Sequence, residues 1–330
     1  MTDAPRSDLK PWQPQDLKAL PVPVLGLLAG VGFALIWSGS FIATKIALPL
    51  APPLWLSAGR LTAAALLLLP FVGRRAFAQY RAASAAQRVR LLAAAGLSQS
   101  YYLGAVFYAL HALPAALVSV VGSSLPLISI PIAVVLLGER ASMREALATA
   151  GAVISLGIVI LGRDNGVQID SVVISPPIAL MLSGVVALAV GNTLLKPLIG
   201  ADGPLPLLAF QLIVGSIVSV IAAALLEGWP QFSWSGAMLL AFLYLVVIGS
   251  IAGTWLWVLI LRQFSAIGAS GFFLLTPVFG VALGFLILSE RLTFVQLVGT
   301  ALLCLMIATR AVPGRREGRP TRDAAGIDPV

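Results

Sequence analysis

The chain is a succession of long apolar runs separated by short polar stops, and that pattern leaves few folds open. A helix of about 20 apolar residues spans the hydrocarbon core of a bilayer. Runs of this kind fall at 24–45, 54–72, 91–110, 115–137, 145–162, 174–195, 205–226, 236–261, 266–288 and 293–309. Together they use most of the 330 residues and leave no room for a soluble domain. Only 10% of the residues are charged, against about 25% in soluble domains. The expected fold class is an all-α integral membrane protein with ten transmembrane helices.

The net charge of +8 has a lopsided distribution. With the N-terminus in the cytoplasm, sixteen Lys and Arg fall on inside segments and two, Arg163 and Arg291, on outside loops. That is the positive-inside pattern, which predicts a multi-pass plasma (bacterial inner) membrane protein with both termini cytoplasmic. The basic balance therefore reports topology. Its expected partner is the lipid bilayer with its anionic headgroups, and not nucleic acid. The lone cysteine, Cys304, permits neither an intrachain disulfide nor a cysteine metal cluster, and no metal or cofactor is expected. Residues 1–23 and 310–330 read as cytoplasmic tails; the first lacks the apolar core of a signal peptide. The Ala-rich segment Arg74 to Arg90 reads as an amphipathic helix on the membrane surface or as a solvated loop.

A second feature is a tandem duplication. Ala115–Gly151 returns 151 residues later as Ala266–Leu302. At that offset Pro126 falls on Pro277, Glu139 on Glu290, Arg140 on Arg291, Lys45 on Lys196 and Pro53 on Pro204. Gln211 takes the place of Arg60, polar but uncharged. Ser142-x-x-Glu145 falls on Thr293-x-x-Gln296, and both are capping-box patterns that satisfy the free N–H groups at a helix start. Between Leu110 and Glu145 only seven of 36 residues are identical to their counterparts; the rare polar residues and prolines in register carry the case. The first repeat is 24–162, the connection 163–173 and the second repeat 174–309. Five spans per copy is an odd number, so the second copy enters the membrane upside down. Inverted repeats of this kind mark secondary transporters, with a site between the halves and alternating access.

Candidate site residues follow from rarity and depth. Span one carries Trp37 and Ser40, and its Gly26-x-x-x-Gly30 reads as close helix packing. Arg60 lies about two turns into span two, where a guanidinium costs a few kcal/mol unless it snorkels or is paired. It reaches the outer interface, caps carbonyls at a helix break, or meets an anionic substrate. In span three, Ser98, Tyr101 and Tyr102 share one face at helical spacing and form either a ligand wall or satisfied core. Ser123 precedes Pro126, and Pro126 and Pro277 are expected helix breaks. Asn192, Trp255 and Phe273 complete the expected cavity. His111 reads as an exposed turn residue. Lys45 with Glu290 and Lys196 with Glu139 form two candidate gating latches; the alternative is snorkelling lysines and helix-capping glutamates.

In these residues the chain resembles the ten-helix drug/metabolite transporter superfamily, in the branch built from two EamA repeats. The second half carries Leu288-Ser289-Glu290-Arg291-Leu292-Thr293 with Gln296 and Gly299, after Pro277. The first half carries Trp37-Ser38-Gly39-Ser40-Phe41 with Lys45, Pro53 with Arg60, and Tyr108-Ala109-Leu110 leading to Pro126 and Glu139-Arg140. The resemblance implies export of amino acids, other metabolites or drugs. It also implies a cavity lined by spans one, three, four, six, eight and nine, with spans five and ten outside it.

None of the thirteen carboxylates lies within a span core, so no coupling acid is evident and a facilitator or exchanger is expected. The spans hold no Asp and no histidine to accompany their serines, which excludes an intramembrane enzyme. Basic residues without in-span acids favour a carboxylate-bearing or zwitterionic small molecule, and the aromatics favour an apolar part. The expected function is an exporter of amino acids or similar small metabolites. Broad efflux of hydrophobic drugs is the alternative, and a non-transporting scaffold the alternative of another class. The oligomeric state is open, and a monomer would suffice.

Overall fold

The computed structural model describes residues 22–113, 118, 121–161, 176–199, 204–288, 294, 298–299, 301–302 and 305–306. Nearly all of both expected tails, the 163–173 connection, Glu290 with its motif, Cys304 and much of span ten lie outside the described residues. Among the described residues every regular element is a helix. The order is α1 (Val22–Ala47), α2 (Pro53–Ala82), α3 (Ala85–Ala95), a π-helical turn (Gly96–Tyr101), α4 (Tyr102–Ala112), α5 (Leu125–Leu137) and α6 (Met143–Leu161). Then come α7 (Pro176–Leu195), α8 (Leu205–Leu226), α9 (Gly236–Leu243), a second π-helical turn (Tyr244–Ala252) and α10 (Gly253–Gln263). Last are α11 (Ala266–Ser270), a 3-10 turn (Gly271–Leu275) and α12 (Thr276–Leu288).

Among the described residues, five helical stretches have the length and apolarity to cross a membrane: Leu25–Leu50, Pro53–Ala82, Pro176–Leu198, Leu205–Leu226 and Gly236–Gln263. Shorter apolar helices cover Val121–Leu137, Glu145–Ser155 and Ala266–Gly280. The outer surface agrees with a lipid environment. Phe71, Val135 and Leu225 are 82%, 80% and 79% exposed, an arrangement a water-soluble protein avoids over so wide an area. Trp229 and Trp234 are also exposed and lie where interfacial aromatics belong.

The segment Arg74 to Arg90 is neither a separate surface helix nor a loop. α2 continues through it to Ala82, with Pro70 inside the helix. The stretch is rich in alanine, the strongest helix former, so nothing local stops the helix at the expected membrane boundary. A short break follows, and Ser84 and Gln87 cap α3 reciprocally. The capping box read at Ser142 and Glu145 forms: Ser142 N donates to the Glu145 carboxylate at 3.0 Å and Glu145 N to Ser142 Oγ at 3.2 Å. The start of α2 is capped from a distance, since the Glu227 carboxylate accepts Leu54 N at 2.9 Å and Trp55 N at 3.0 Å. Those are two of the N–H groups that a helix start leaves free.

Small residues bring the helices together. A Cβ on Gly30 would lie 2.1 Å from the Phe272 ring, and one on Gly26 would lie 2.5 Å from Gln263 Oε1. α2 and α8 form the most extensive helix pair and run against each other along their lengths. Contacts at the helix ends orient the bundle. Lys45 Nζ, at the C-terminal end of α1, donates to Leu110 O and Leu113 O. Nearby, Leu50 O accepts Ser233 N. Lys196 Nζ donates to Leu261 O at 3.0 Å and to Phe264 O, and Phe264 packs on Gly26 at the N-terminal end of α1. The two lysines therefore sit at opposite ends of the bundle. In both cases the acceptors follow the lysine by 65 and 68 residues.

Candidate functional site

The two π-helical turns are the local features from which the site is built. At the 151-residue offset, Gly96–Tyr101 falls on the second part of Tyr244–Ala252. A π turn widens the helix and leaves backbone carbonyls without their usual donors, which is why such turns gather at functional sites. Ser250 Oγ donates to Leu245 O, five residues back, at 2.9 Å, and accepts Arg60 Nε at 2.9 Å. Ser98 Oγ donates to Ala94 O at 2.6 Å, and Gln211 Nε2 approaches it at 3.5 Å. Arg60 of α2 therefore faces the π turn of the second half, and Gln211 of α8 faces the π turn of the first. The surrounding small residues are exchanged in the same way. A Cβ on Gly249 would meet Ser40 Oγ at 2.8 Å, and a Cβ on Gly191, the counterpart of Ser40, would meet Ser98 Cβ at 3.2 Å.

Arg60 is 2% exposed, and its guanidinium carbon lies 5.5 Å from the Phe107 ring centroid. Among the described residues no carboxylate pairs with it. Ser250 and the ring offset part of the burial cost, the ring by about 0.5–2 kcal/mol, and leave the rest of the fork available. Across from it Gln211 is 1% exposed, and its Oε1 has no hydrogen-bond partner.

Both side chains line a central cavity of about 20 Å³, room for roughly one water. Its polar lining comes from Arg60, Gln211, Ser98, Gln99, Asn192 and Thr254, and its aromatic lining from Phe33, Trp37, Trp257 and Phe273. The four rings pack with centroids 5.0–5.7 Å apart. Trp257 Nε1 donates to Asn192 Oδ1 at 2.9 Å, tying the aromatic group to α7. The cavity is narrow in this conformation, and widening it would expose one cation, one free amide oxygen and an aromatic wall.

Of the residues expected from the sequence, Trp37, Arg60, Ser98, Asn192 and Phe273 line this cavity. Tyr102 is buried behind it, its ring stacked on Trp37 at 6.1 Å. Ser40 lies beside Arg60 against Gly249. Tyr101 does not join Ser98 and Tyr102 on one face. The π turn ends at Tyr101, which points away, is 45% exposed and bonds Ser183 Oγ at 2.8 Å. Trp255 is 37% exposed, and its neighbour Trp257 faces inward; two residues along a helix is more than half a turn. Ser123 is buried but off the cavity wall. Phe33, Gln99, Gln211 and Trp257 line the cavity as well, although none was among the expected cavity residues. Gln211 was marked by its offset from Arg60, and the same offset pairs Gln99 with Ser250.

Pro126 and Pro277 both occupy the first turn of a helix, α5 and α12, after an irregular turn. There the missing N–H removes no hydrogen bond. α5 ends at Gly138, whose φ of 65° supplies the left-handed cap and turns Glu139 toward α11. The Glu139 carboxylate accepts Ala266 N at 2.7 Å and Ile267 N at 3.1 Å. Lys196 caps the carbonyls at the end of α10, so both charges clamp the same turn. In this conformation each is bonded to that backbone and not to the other, although Glu139 lies close enough to act on the Lys196 charge through space.

These features define a multi-pass α-helical membrane protein with a small polar and aromatic cavity. The chain belongs to the EamA-like transporter family, whose model matches residues 24–161 and, a second time, 175–309. Membership makes it a transporter-family protein and not an enzyme. It is 26% identical over 290 residues to the "Probable amino-acid metabolite efflux pump" of Escherichia coli (strain K12), covering 85% of this chain and 91% of that protein. It is 25% identical to the protein of the same description from Salmonella typhimurium, covering 81% and 88%. It is 27% identical to "Protein PecM" of Dickeya dadantii, covering 65% and 70%. A solved crystal structure superposes with a TM-score of 0.70 at 17% identity, over 87% of this chain and 96% of that one, a likeness of fold.

Proposed function

We propose that the protein is a secondary transporter that exports a small carboxylate-bearing metabolite, an amino acid or a close relative, by alternating access. In this reading ten helices form two inverted five-helix repeats around the central cavity, with both termini in the cytoplasm. The observation that carries it is Arg60: a buried guanidinium without a carboxylate partner among the described residues, set in a cavity opposite a neutral amide and beside four rings. A carboxylate on the solute would complete the fork, and the rings would take its apolar part. The double family match and the recurrence of the lysine contacts and π turns at one offset support the inverted arrangement. The names of the enterobacterial relatives support the substrate class.

The charged clamps supply the gating part of the proposal. Lys196 with Glu139 holds one end of the bundle, Lys45 with Glu290 holds the other, and the two tighten alternately as the halves rock. With no acid in a span core, the carrier runs down its solute's gradient as a facilitator or exchanger. Counterflow in proteoliposomes tests the whole reading. Vesicles loaded with one unlabelled amino acid at a time should accumulate the same labelled solute for some members of a panel of amino acids and organic anions. Counterflow of hydrophobic cations in preference to any carboxylate would instead favour drug efflux. Absence of flux for every class would favour a scaffold.

A further inference from the structure

A second cavity, of about 560 Å³, lies between α2, α4, α7 and α8, and Leu54, Leu226 and Glu227 line it at one end of the bundle. Its volume falls in the range of small-molecule sites. Three of its walls continue into the central cavity. On α2, Ser57 lines the outer cavity and Arg60, one turn on, lines the inner. On the first π turn, Ser100 lines the outer and Gln99 the inner. On α8, Leu226, Ala222 and Ser219 line the outer cavity and Gln211 the inner, with Gly215 between them. These α8 positions recur every three or four residues, one continuous helical face. Between the two sets of lining residues Gly215 packs tightly on Gln99: a Cβ on Gly215 would lie 2.6 Å from Gln99 Cβ.

The outer cavity is not merely a gap for a lipid chain. Ser57 is 1% exposed, and its Oγ has no hydrogen-bond partner. Ser100 and Ser219 bond each other at 2.9 Å on the same wall. A buried hydroxyl without a partner is costly, and an acyl chain offers it nothing, whereas water or a polar solute does. Glu227, at that end of the lining, is held by two N–H groups at the start of α2, whose partial positive charge offsets part of its repulsion of an anion.

We propose that this outer cavity is the vestibule through which the carboxylate-bearing solute passes between Arg60 and the Glu227 side of the membrane, and that the Gln99–Gly215 contact is its constriction. The inference rests on the transport reading above. The test uses full-length protein in which Cys304→Ala removes the single native thiol. Ser219→Cys and Ala222→Cys are each introduced into the vestibule, with Gln231→Cys in the exposed turn beyond α8 as a marker of the membrane side. A membrane-impermeant, negatively charged thiosulfonate is applied to reconstituted vesicles, and modification is read by intact mass. The expected result is modification of both vestibule cysteines from the side that modifies Gln231→Cys, with loss of counterflow once they are modified. Reaction only with a membrane-soluble maleimide would overturn the inference, give the cavity to a lipid chain and leave transport by unmodified protein intact. Modification that leaves counterflow unchanged would also overturn it. Absence of counterflow before any modification would instead be a failure of the transport reading.

Discussion

Arg60 and Gln211 stand 151 residues apart, on α2 and α8, and each faces the π turn of the other half. The scaffold around them is nearly the same: a serine on the opposing π turn, and a glycine–serine contact with the partners exchanged. The chemistry differs. The Arg60 side carries a buried cation bonded to Ser250 at 2.9 Å, and the Gln211 side a neutral amide 3.5 Å from Ser98, with its oxygen unpartnered. Helix packing thus requires small residues and hydroxyls at these places but no charge. The charge is present in one half only, as the proposed role of Arg60 in holding a carboxylate requires.

That comparison is most severely strained by placing the cation in both halves. Gln211→Arg buries a second guanidinium in the same cavity, and an unpaired buried charge costs several kcal/mol. A large drop in melting temperature is expected in detergent. Moving the charge by combining Gln211→Arg with Arg60→Gln should recover part of that stability. Making the halves alike with Arg60→Gln alone should spare the fold but remove a charge-assisted contact of about 1.5–3 kcal/mol. Solute affinity, read from initial counterflow rates, should then fall about ten- to hundredfold. Arg60→Lys should retain less than wild type, because an ammonium cannot grip a carboxylate with two parallel N–H groups.

At the two ends of the bundle the halves make matching contacts. Lys45→Met and Lys196→Met each remove two donors from helix-end carbonyls. Each should cost about 1–2 kcal/mol, by roughly the same amount in thermal melts, because the two contacts are equivalent. Unequal losses would mean that the halves are less alike than their contacts. The smallest effects should come from the π-turn hydroxyls. Ser98→Ala should cost about 0.5–1 kcal/mol, and Ser250→Ala somewhat more, since it leaves the Nε of a buried cation without its acceptor.

Much of this was legible in the sequence because it depends on local or periodic signals. Run length marked the five described helices long enough to cross a membrane, the hydroxyl and carboxylate three apart at Ser142 and Glu145 marked a helix start, and the fixed offset linked Lys45 to Lys196. What escaped depends on tertiary packing. A π turn inserts one extra residue into a helix without a local sequence signal, so regular spacing put Tyr101 on the wrong face. The same rule of periodicity does not by itself decide between Trp255 and Trp257. α2 passed its expected boundary because an arginine-bearing stretch can be helical as readily as an apolar one. Gln99 and Gln211 become site residues only when the partners of Arg60 are traced across the offset, which requires knowing what Arg60 touches.

The most direct test is a matched pair of ligands, an amino acid that supports counterflow and its carboxamide, titrated against purified wild-type protein and Arg60→Gln. The acid should bind the wild type well above the amide, and this preference should vanish in the variant while its fold remains intact. Equal binding of acid and amide by the wild type, or undiminished acid binding by Arg60→Gln, would remove Arg60 from the site.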